Sequence, residues 1–291
     1  NIAGGLPSSQ IAGANELKVA TYRLDAAVSF LKKYARRGRL DVVSKAVERM
    51  AQEVLVKQER NAWAVILKAL SEGKGTASSN GAHIVNNVGS TETFQLDTLN
   101  AIITRMKRIN KSFAGGTAAQ VYSEGITDLY VSPEVKQDIR AFSYSPVGNN
   151  ANQSLPNGAK EDAYRGAGLA NIFGINIIDL QELGVGQKYN TLYETFSDSA
   201  GLAGAVNEAG ATTTSAFNDG SSHEVIIGVD ASREALIRPV ARNADSGATF
   251  SALPDDQFTQ RADKTGFYGS VEEGRVCIDA RVLVGAHLKR S

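Results

Sequence analysis

LDVVSKAVERMAQEVLVKQERNAWAVILKAL, residues 40–70, holds no glycine and no proline over 31 residues. Apolar residues recur at Val43, Val47, Met50, Val54, Ala62, Ile66 and Leu70, steps that stay on one side of a 3.6-residue period. Lys45, Arg49, Glu53, Lys57 and Glu59 fall on the other side. The stretch predicts one helix roughly 45 Å long, well beyond the usual 11–12 residues. Val43, Val47, Met50, Val54, Trp63 and Ile66 are its expected core. Gln58 interrupts the stripe, and about four heptads is short for a coiled coil. A rod of this length needs a long partner surface.

The other end of the chain offers one. From Arg275 to Leu288 every even position is apolar: Val276, Ile278, Ala280, Val282, Val284, Ala286 and Leu288. Arg275, Cys277, Asp279, Arg281 and His287 stand at odd positions, with Leu283 and Gly285 as exceptions. This alternation predicts a single strand of roughly 46 Å with one buried face. The reading is therefore a rod packed on a ribbon, with residues 71–274 growing out of that base.

Between them, residues 1–20 lack periodicity and read as an arm that cannot order itself alone. Residues 21–39 suit either a helix (Leu24, Val28, Leu31, Ala35) or a strand (Val19 to Tyr22) and read as a protruding segment. Ser71 to Ser90 reads as a loop. A helix is expected at 97–110, a strand at Asp128–Val131, and a helix at Pro133–Phe142 with Ser132 as N-cap. Strands are expected at 174–179, 224–229 and 234–240, the last two suiting a hairpin. Residues 197–222 read as a long surface loop. Strands and helices mix without a βαβ rhythm, so the fold class is α+β.

Composition excludes little. Charge balances at 31 basic and 31 acidic residues, and no apolar run is long enough to span a membrane. The distribution is more telling. Lys32, Lys33, Arg36, Arg37 and Arg39 fall within 26–40 with no acid, while 161–230 carries ten acids against Arg165 and Lys188. A basic leading segment and an acidic middle can attract copies of one chain, although two solvated surfaces fit equally. The five cations are the candidate inter-subunit contacts.

Chemistry is sparse. His83, His223 and His287 lack a partner at metal-ligand spacing, and Cys277 has no activating neighbour beyond Arg275. Gly166-Ala-Gly168 fails the dinucleotide-binding fingerprint, with Asn171 where it wants glycine, and Glu72-Gly-Lys-Gly-Thr76 fails the phosphate-loop pattern. Asp255-Asp256 and Glu272-Glu273 are expected in turns, as solvated charge. No catalytic residue, cofactor or metal is predicted.

Three segments carry a resemblance. Arg39-Leu-Asp-Val-Val43 through Glu59-Arg-Asn-Ala-Trp63 resembles a spine helix. Asp128-Leu-Tyr-Val-Ser-Pro-Glu-Val135 resembles the strand-to-helix segment of an axial domain. Lys264-Thr-Gly-Phe-Tyr-Gly269 with Gly274-Arg-Val-Cys-Ile-Asp-Ala-Arg281 resembles closing strands of a peripheral domain. In order and spacing the chain resembles the major capsid proteins of tailed bacteriophages, with the Hong Kong 97-type fold.

That resemblance implies a spine helix on a β-sheet with an inserted axial domain. Residues 1–17 would be an N-terminal arm, 18–38 an extended loop, 39–90 and 235–291 the peripheral domain, and 91–234 the axial domain. Hexamers and pentamers would tile an icosahedral shell around double-stranded DNA, part of a virion assembled in the host cytoplasm, with scaffold, portal and decoration proteins as candidate partners and no membrane. A start at Asn1 without Met is similar to the product of a maturation protease. An encapsulin compartment shares the fold and stays open as an alternative, as does an enzyme using carboxylates of the acidic middle.

Overall fold

The computed structural model describes residues 18–33, 40–72, 83–86, 93–113, 125–144, 171–200, 205–206, 212–213, 223–242, 247, 249–255 and 264–290. The first helix, α1, runs Leu40–Glu72. Met50, Val54, Gln58, Trp63, Leu67, Leu70 and Ser71 form its buried line, so Gln58 lies on the inward face and does not interrupt it. Val47, Ala62 and Ile66 are half-buried. The inward line turns slowly around the helix because 3.6 residues per turn does not divide the apolar spacing evenly.

Two sheets receive this helix. Its first half covers a three-stranded antiparallel sheet of β1 (Tyr22–Leu31), β11 (Lys264–Glu273) and β10 (Ser251–Asp255), in the order β1-β11-β10. Residues 22–31 are thus a strand: Leu24, Val28 and Leu31, which suited a helix, lie in it, and it begins at Tyr22, where the expected Val19–Tyr22 strand ends. The partner that settles it is β11, in an unbroken ladder from Tyr22↔Glu273 to Leu31↔Lys264. A Cβ on Gly269 of β11 would lie 3.2 Å from Met50 Cε, so a bare backbone lets the helix approach.

The second half of α1 meets an eight-stranded mixed sheet, ordered β4-β5-β3-β8-β13-β2-β6-β7. Its strands are β4 (Asn171–Ile172), β5 (Ile175–Asp179), β3 (Asp128–Val131), β8 (His223–Val229), β13 (Leu283–Lys289), β2 (Ile84–Asn86), β6 (Ala205–Val206) and β7 (Thr212–Thr213). Helices cover both faces. On one lie α2 (Leu96–Phe113) and α3 (Pro133–Tyr144), whose Leu99, Ile102, Met106, Val135 and Ile139 share a core with Val284, Ala286 and Leu288. On the other, Trp63, Leu67 and Leu70 of α1 join Tyr189 and Tyr193 of α4 (Lys188–Ala200) and Leu283. Ser132 caps α3, its Oγ accepting the Val135 N–H at 3.1 Å.

Several expectations need correction. The closing ribbon is two strands, β12 (Val276–Cys277) and β13, parted by a 3-10 turn at Ala280–Val282. Asp279 causes the break: its carboxylate accepts from the Arg281 backbone N–H and Nε, both at 3.0 Å, and such local bonds compete with a sheet ladder. β13 is buried on both faces, and α1 packs on the side of Leu283, the exception in the alternation, while the even positions face α2 and α3. Rod and ribbon do meet, but only through the C-terminal turns of α1.

Ser71–Ser90 contains β2, parallel to β13 from Gly285↔Ile84 to His287↔Asn86. The 197–222 loop includes the end of α4 and the short strands β6 and β7. Residues 224–229 and 234–240 do not pair as a hairpin: β8 lies between β3 and β13, and only Leu236–Ile237, strand β9, pairs with β12. β3 and β5 are parallel across α3, a local βαβ unit inside the α+β architecture. The arm at residues 1–17 lies outside the described residues.

Candidate assembly surfaces

The histidines are packing groups or strand ends. His83 is buried with Nδ1 at 2.9 Å from the Leu283 carbonyl, and His287 is buried with Nε2 at 3.0 Å from the Tyr193 hydroxyl. His223 begins β8. Burial holds the His287 pKa down to about 3 and raises the Tyr193 hydroxyl. Cys277 is half-buried, and desolvation raises its thiol pKa. Among the described residues no group of His, Cys, Asp and Glu is arranged to hold a metal ion, and no helix is long and apolar enough to cross a membrane.

Glu273 does not sit in a turn as solvated charge. It ends β11 with 0 % of its surface exposed. Arg238 Nε donates to it at 2.7 Å, Arg275 Nε at 3.4 Å and the Tyr22 hydroxyl at 3.1 Å. This cluster ties the base of β1 to the end of β11, to Arg275 in the turn that follows it and to Arg238, just after Leu236–Ile237. A buried carboxylate is tolerable here because cations and a hydroxyl saturate it.

A second buried carboxylate, Glu224 on β8, accepts from Ser132 Oγ at 2.6 Å and from the Arg290 guanidinium. Arg290 also donates to Asp138 at 2.7 Å, and Asp138 accepts the Phe94 N–H at 2.9 Å. Burial pushes the Glu224 carboxyl above its ordinary range, and Ser132 and Arg290 oppose that shift.

Three surfaces could meet other molecules. The first is the three-stranded sheet. No residue of β1 is fully buried, its residues alternating between half-buried and exposed, and among the described residues β1 and β10 each pair on one side only. Open edges are ready templates for another chain. Its outer face carries Arg23, paired with Asp25 at 2.8 Å and donating to the Tyr268 hydroxyl at 2.9 Å. The Tyr268 hydrogen bond and then Arg23 hold the Asp25 carboxyl below its usual value.

The second surface is an apolar groove of about 140 Å³ between α1 and the β9–β12 ribbon, lined by Val65, Ile66, Leu236, Ile237, Arg238 and Arg275 among others. The third is the tip of the β4–β5 hairpin, where Phe173 is 57 % exposed.

Of the residues singled out from sequence, Lys32 is half-buried and Lys33 exposed just past β1, and both make contacts. Arg36, Arg37, Arg39 and the Val43 side chain lie outside the described residues. Met50 and Val54 are buried, Val47 and Ile66 half-buried, and Trp63 is 7 % exposed. The Trp63 ring stacks on Tyr189 at 5.7 Å and meets Tyr130 edge-on at 4.9 Å, so it faces β3 and α4. Sequence reasoning missed the Glu273 cluster, the groove and Phe173. A bulky aromatic directly before Gly174, between two isoleucines, was the available signal for the tip.

No curated protein sequence matches the chain. Solved structures do. The capsid of Ralstonia phage GP4 matches with a TM-score of 0.54 at 11 % identity, over 94 % of this chain and 74 % of that one. The SrpI encapsulin of Synechococcus elongatus PCC 7942 matches at 0.51 and 9 % identity, over 93 % and 75 %. The capsid of cyanophage Pam1 matches at 0.50 and 11 % identity, over 100 % and 81 %. Identities this low speak for the fold alone, which is the Hong Kong 97-type capsid fold. The sequence model of the phage capsid protein family matches residues 15–189, more than half of the chain. A long helix across a mixed sheet, a three-stranded sheet at its flank and this match lead to one conclusion: the chain belongs to the phage capsid protein family and is a capsid shell protein.

Proposed function

We propose that the chain self-assembles as hexamers and pentamers into an icosahedral shell that encloses double-stranded DNA. The family match over residues 15–189 carries this reading. The three-stranded sheet supports it, because β1 buries none of its residues fully and among the described residues pairs on one side only. In this reading residues 1–17 are an arm and 18–38 an extended loop that overlap a neighbour. Segments 39–90 and 235–291 form a peripheral unit, and 91–234 points toward the symmetry axes. The hydrogen bonds between β13 and β8 make these one continuous body. The chain acts as a structural, non-enzymatic part of a virion, put together in the host cytoplasm.

Basic residues Lys32, Lys33, Arg36, Arg37 and Arg39 serve this reading as contacts to an acidic neighbouring surface. Scaffold, portal and decoration proteins are the further partners it implies. Individually weak contacts suffice, because a closed shell engages many at once.

Sedimentation of the purified protein tests assembly. Fast-sedimenting particles with nuclease-protected double-stranded DNA are the expected product from infected cells. The fold similarity to an encapsulin favours a second reading, a compartment shell without nucleic acid. Particles that carry protein cargo and no DNA would select it.

A further inference from the structure

Phe173 sits where a large residue rarely sits. It and Gly174 form the two-residue connection of the β4–β5 hairpin, with Ile172↔Ile175 as the closing pair. Its φ is 53° and that of Gly174 is 80°. Two successive positive φ values define a turn that favours Asn-Gly or Gly-Gly, and few non-glycine residues enter this region. The Phe173 ring gains little from its own chain in return, since 57 % of the residue faces solvent. A strained backbone that holds an aromatic outward is a local cost without a local benefit. The benefit therefore lies outside the subunit.

The same chain carries a site of fitting chemistry on another face. The groove between α1 and the β9–β12 ribbon has an apolar floor of Val65, Ile66, Leu236 and Ile237, and Arg238 and Arg275 stand in its wall. Leu236 and Ile237 are each 40 % exposed, so the floor is open to a partner. An aromatic ring with its negative face toward two guanidiniums suits this lining. Phe173 belongs to the edge of the eight-stranded sheet and does not line its own groove.

We infer that Phe173 of one copy inserts into the Leu236–Ile237 groove of a second copy, as a knob-and-socket contact between subunits. The inference rests on the capsid reading and names one contact within it. Knob and socket occupy different patches, so the contact is heterologous, the type that closes rings when repeated around an axis. It would place one aromatic anchor at each joint, where interface energy tends to concentrate.

Phe173→Asn separates the knob from the fold. Asn accepts positive φ readily, so the subunit should melt no lower than wild type, while particle yield by sedimentation should fall at least tenfold. A second variant, Ile237→Ser, tests the pairing from the socket side, alone and combined with Phe173→Asn. Each single change should cut the particle yield to a similar degree, and the combined chain should lose no more than either, because both remove one contact. Phe173→Asn particles at wild-type yield, or losses that multiply in the combined chain, would overturn the contact. Wild-type protein that forms no particle would instead remove the capsid reading, and the contact with it.

Discussion

Leu70 of the long helix fills the space where a side chain on Gly285 would begin. A Cβ at position 285 would stand 3.0 Å from Leu70 Cδ2 and 3.2 Å from the Ile226 carbonyl oxygen. The helix and the closing strand can touch because this position is bare. Gly285→Ala is expected to destabilise the subunit by about 1–3 kcal/mol, since Leu70 must shift and the Ile226 backbone cannot. Urea unfolding measures it, and an unchanged midpoint would refute the close approach.

Trp63 gives a second test. Its ring lies between Tyr189 and Tyr130. Trp63→Ala should cost about 3–5 kcal/mol through cavity formation and should prevent assembly. Trp63→Phe, which retains an aromatic face for Tyr189, should cost distinctly less in the same unfolding experiment.

Acid should loosen the subunit through His287. Its folded pKa lies near 3, below the ordinary value of 6.5. A depressed pKa in a base means the neutral ring is favoured by folding, so its stability contribution is complete above about 6.5. That contribution falls away as pH drops from there toward 3. Burial lowers the His83 pKa too, which adds in the same direction. His287→Gln retains a polar partner for Tyr193 and cannot titrate. Its stability deficit against wild type should narrow between pH 7 and pH 4.5, as read from urea midpoints; a constant deficit would exclude His287 as the source.

Glu273 anchors the base of the three-stranded sheet. Glu273→Ala removes the carboxylate shared by Arg238, Arg275 and Tyr22. A cost of about 1–3 kcal/mol is expected, at the level of charged hydrogen bonds, because Arg238 remains partly open to water. Hydrogen exchange should show faster opening at the Tyr22↔Glu273 end of the ladder than in wild type.

The basic segment predicts a salt signature. Replacing Lys32, Lys33, Arg36, Arg37 and Arg39 with glutamine should weaken assembly at low ionic strength. The difference from wild type should close near 1 M salt, where charges beyond about 3 Å are screened. Light scattering across a salt series measures both.

How far the sequence leads differs by element. The helix at Leu40–Glu72 was legible because its inward positions are apolar, its interior lacks breakers and burial follows the 3.6 period. α2, α3 and β3 were legible for the same reason, with Ser132-Pro133 marking a start. The closing strand was half legible. Alternation located it, but a strand buried on both faces reads as one-faced when Gly285 and His287 interrupt the second side. Asp279 ended it early through a local hydrogen bond that no periodicity reveals. α4 escaped because its inward residues, Tyr189, Tyr193 and Phe196, are aromatics spread among polar neighbours. Glu273 escaped because a saturated buried carboxylate and a solvated one are the same letter; the difference is made largely by Arg238, 35 residues away in sequence, and Tyr22, 251 away. The assembly surfaces were the least legible, because exposure of Phe173, Leu236 and Ile237 is a property of the folded surface.

Electron microscopy of the purified, concentrated protein tests the central claim most directly. Closed shells with six-fold and five-fold clusters, each subunit presenting β1 and its partners β11 and β10 to a neighbour, are the expected image. A protein that remains a single subunit at every concentration and salt condition, with the open edge of β1 facing only solvent, would contradict it.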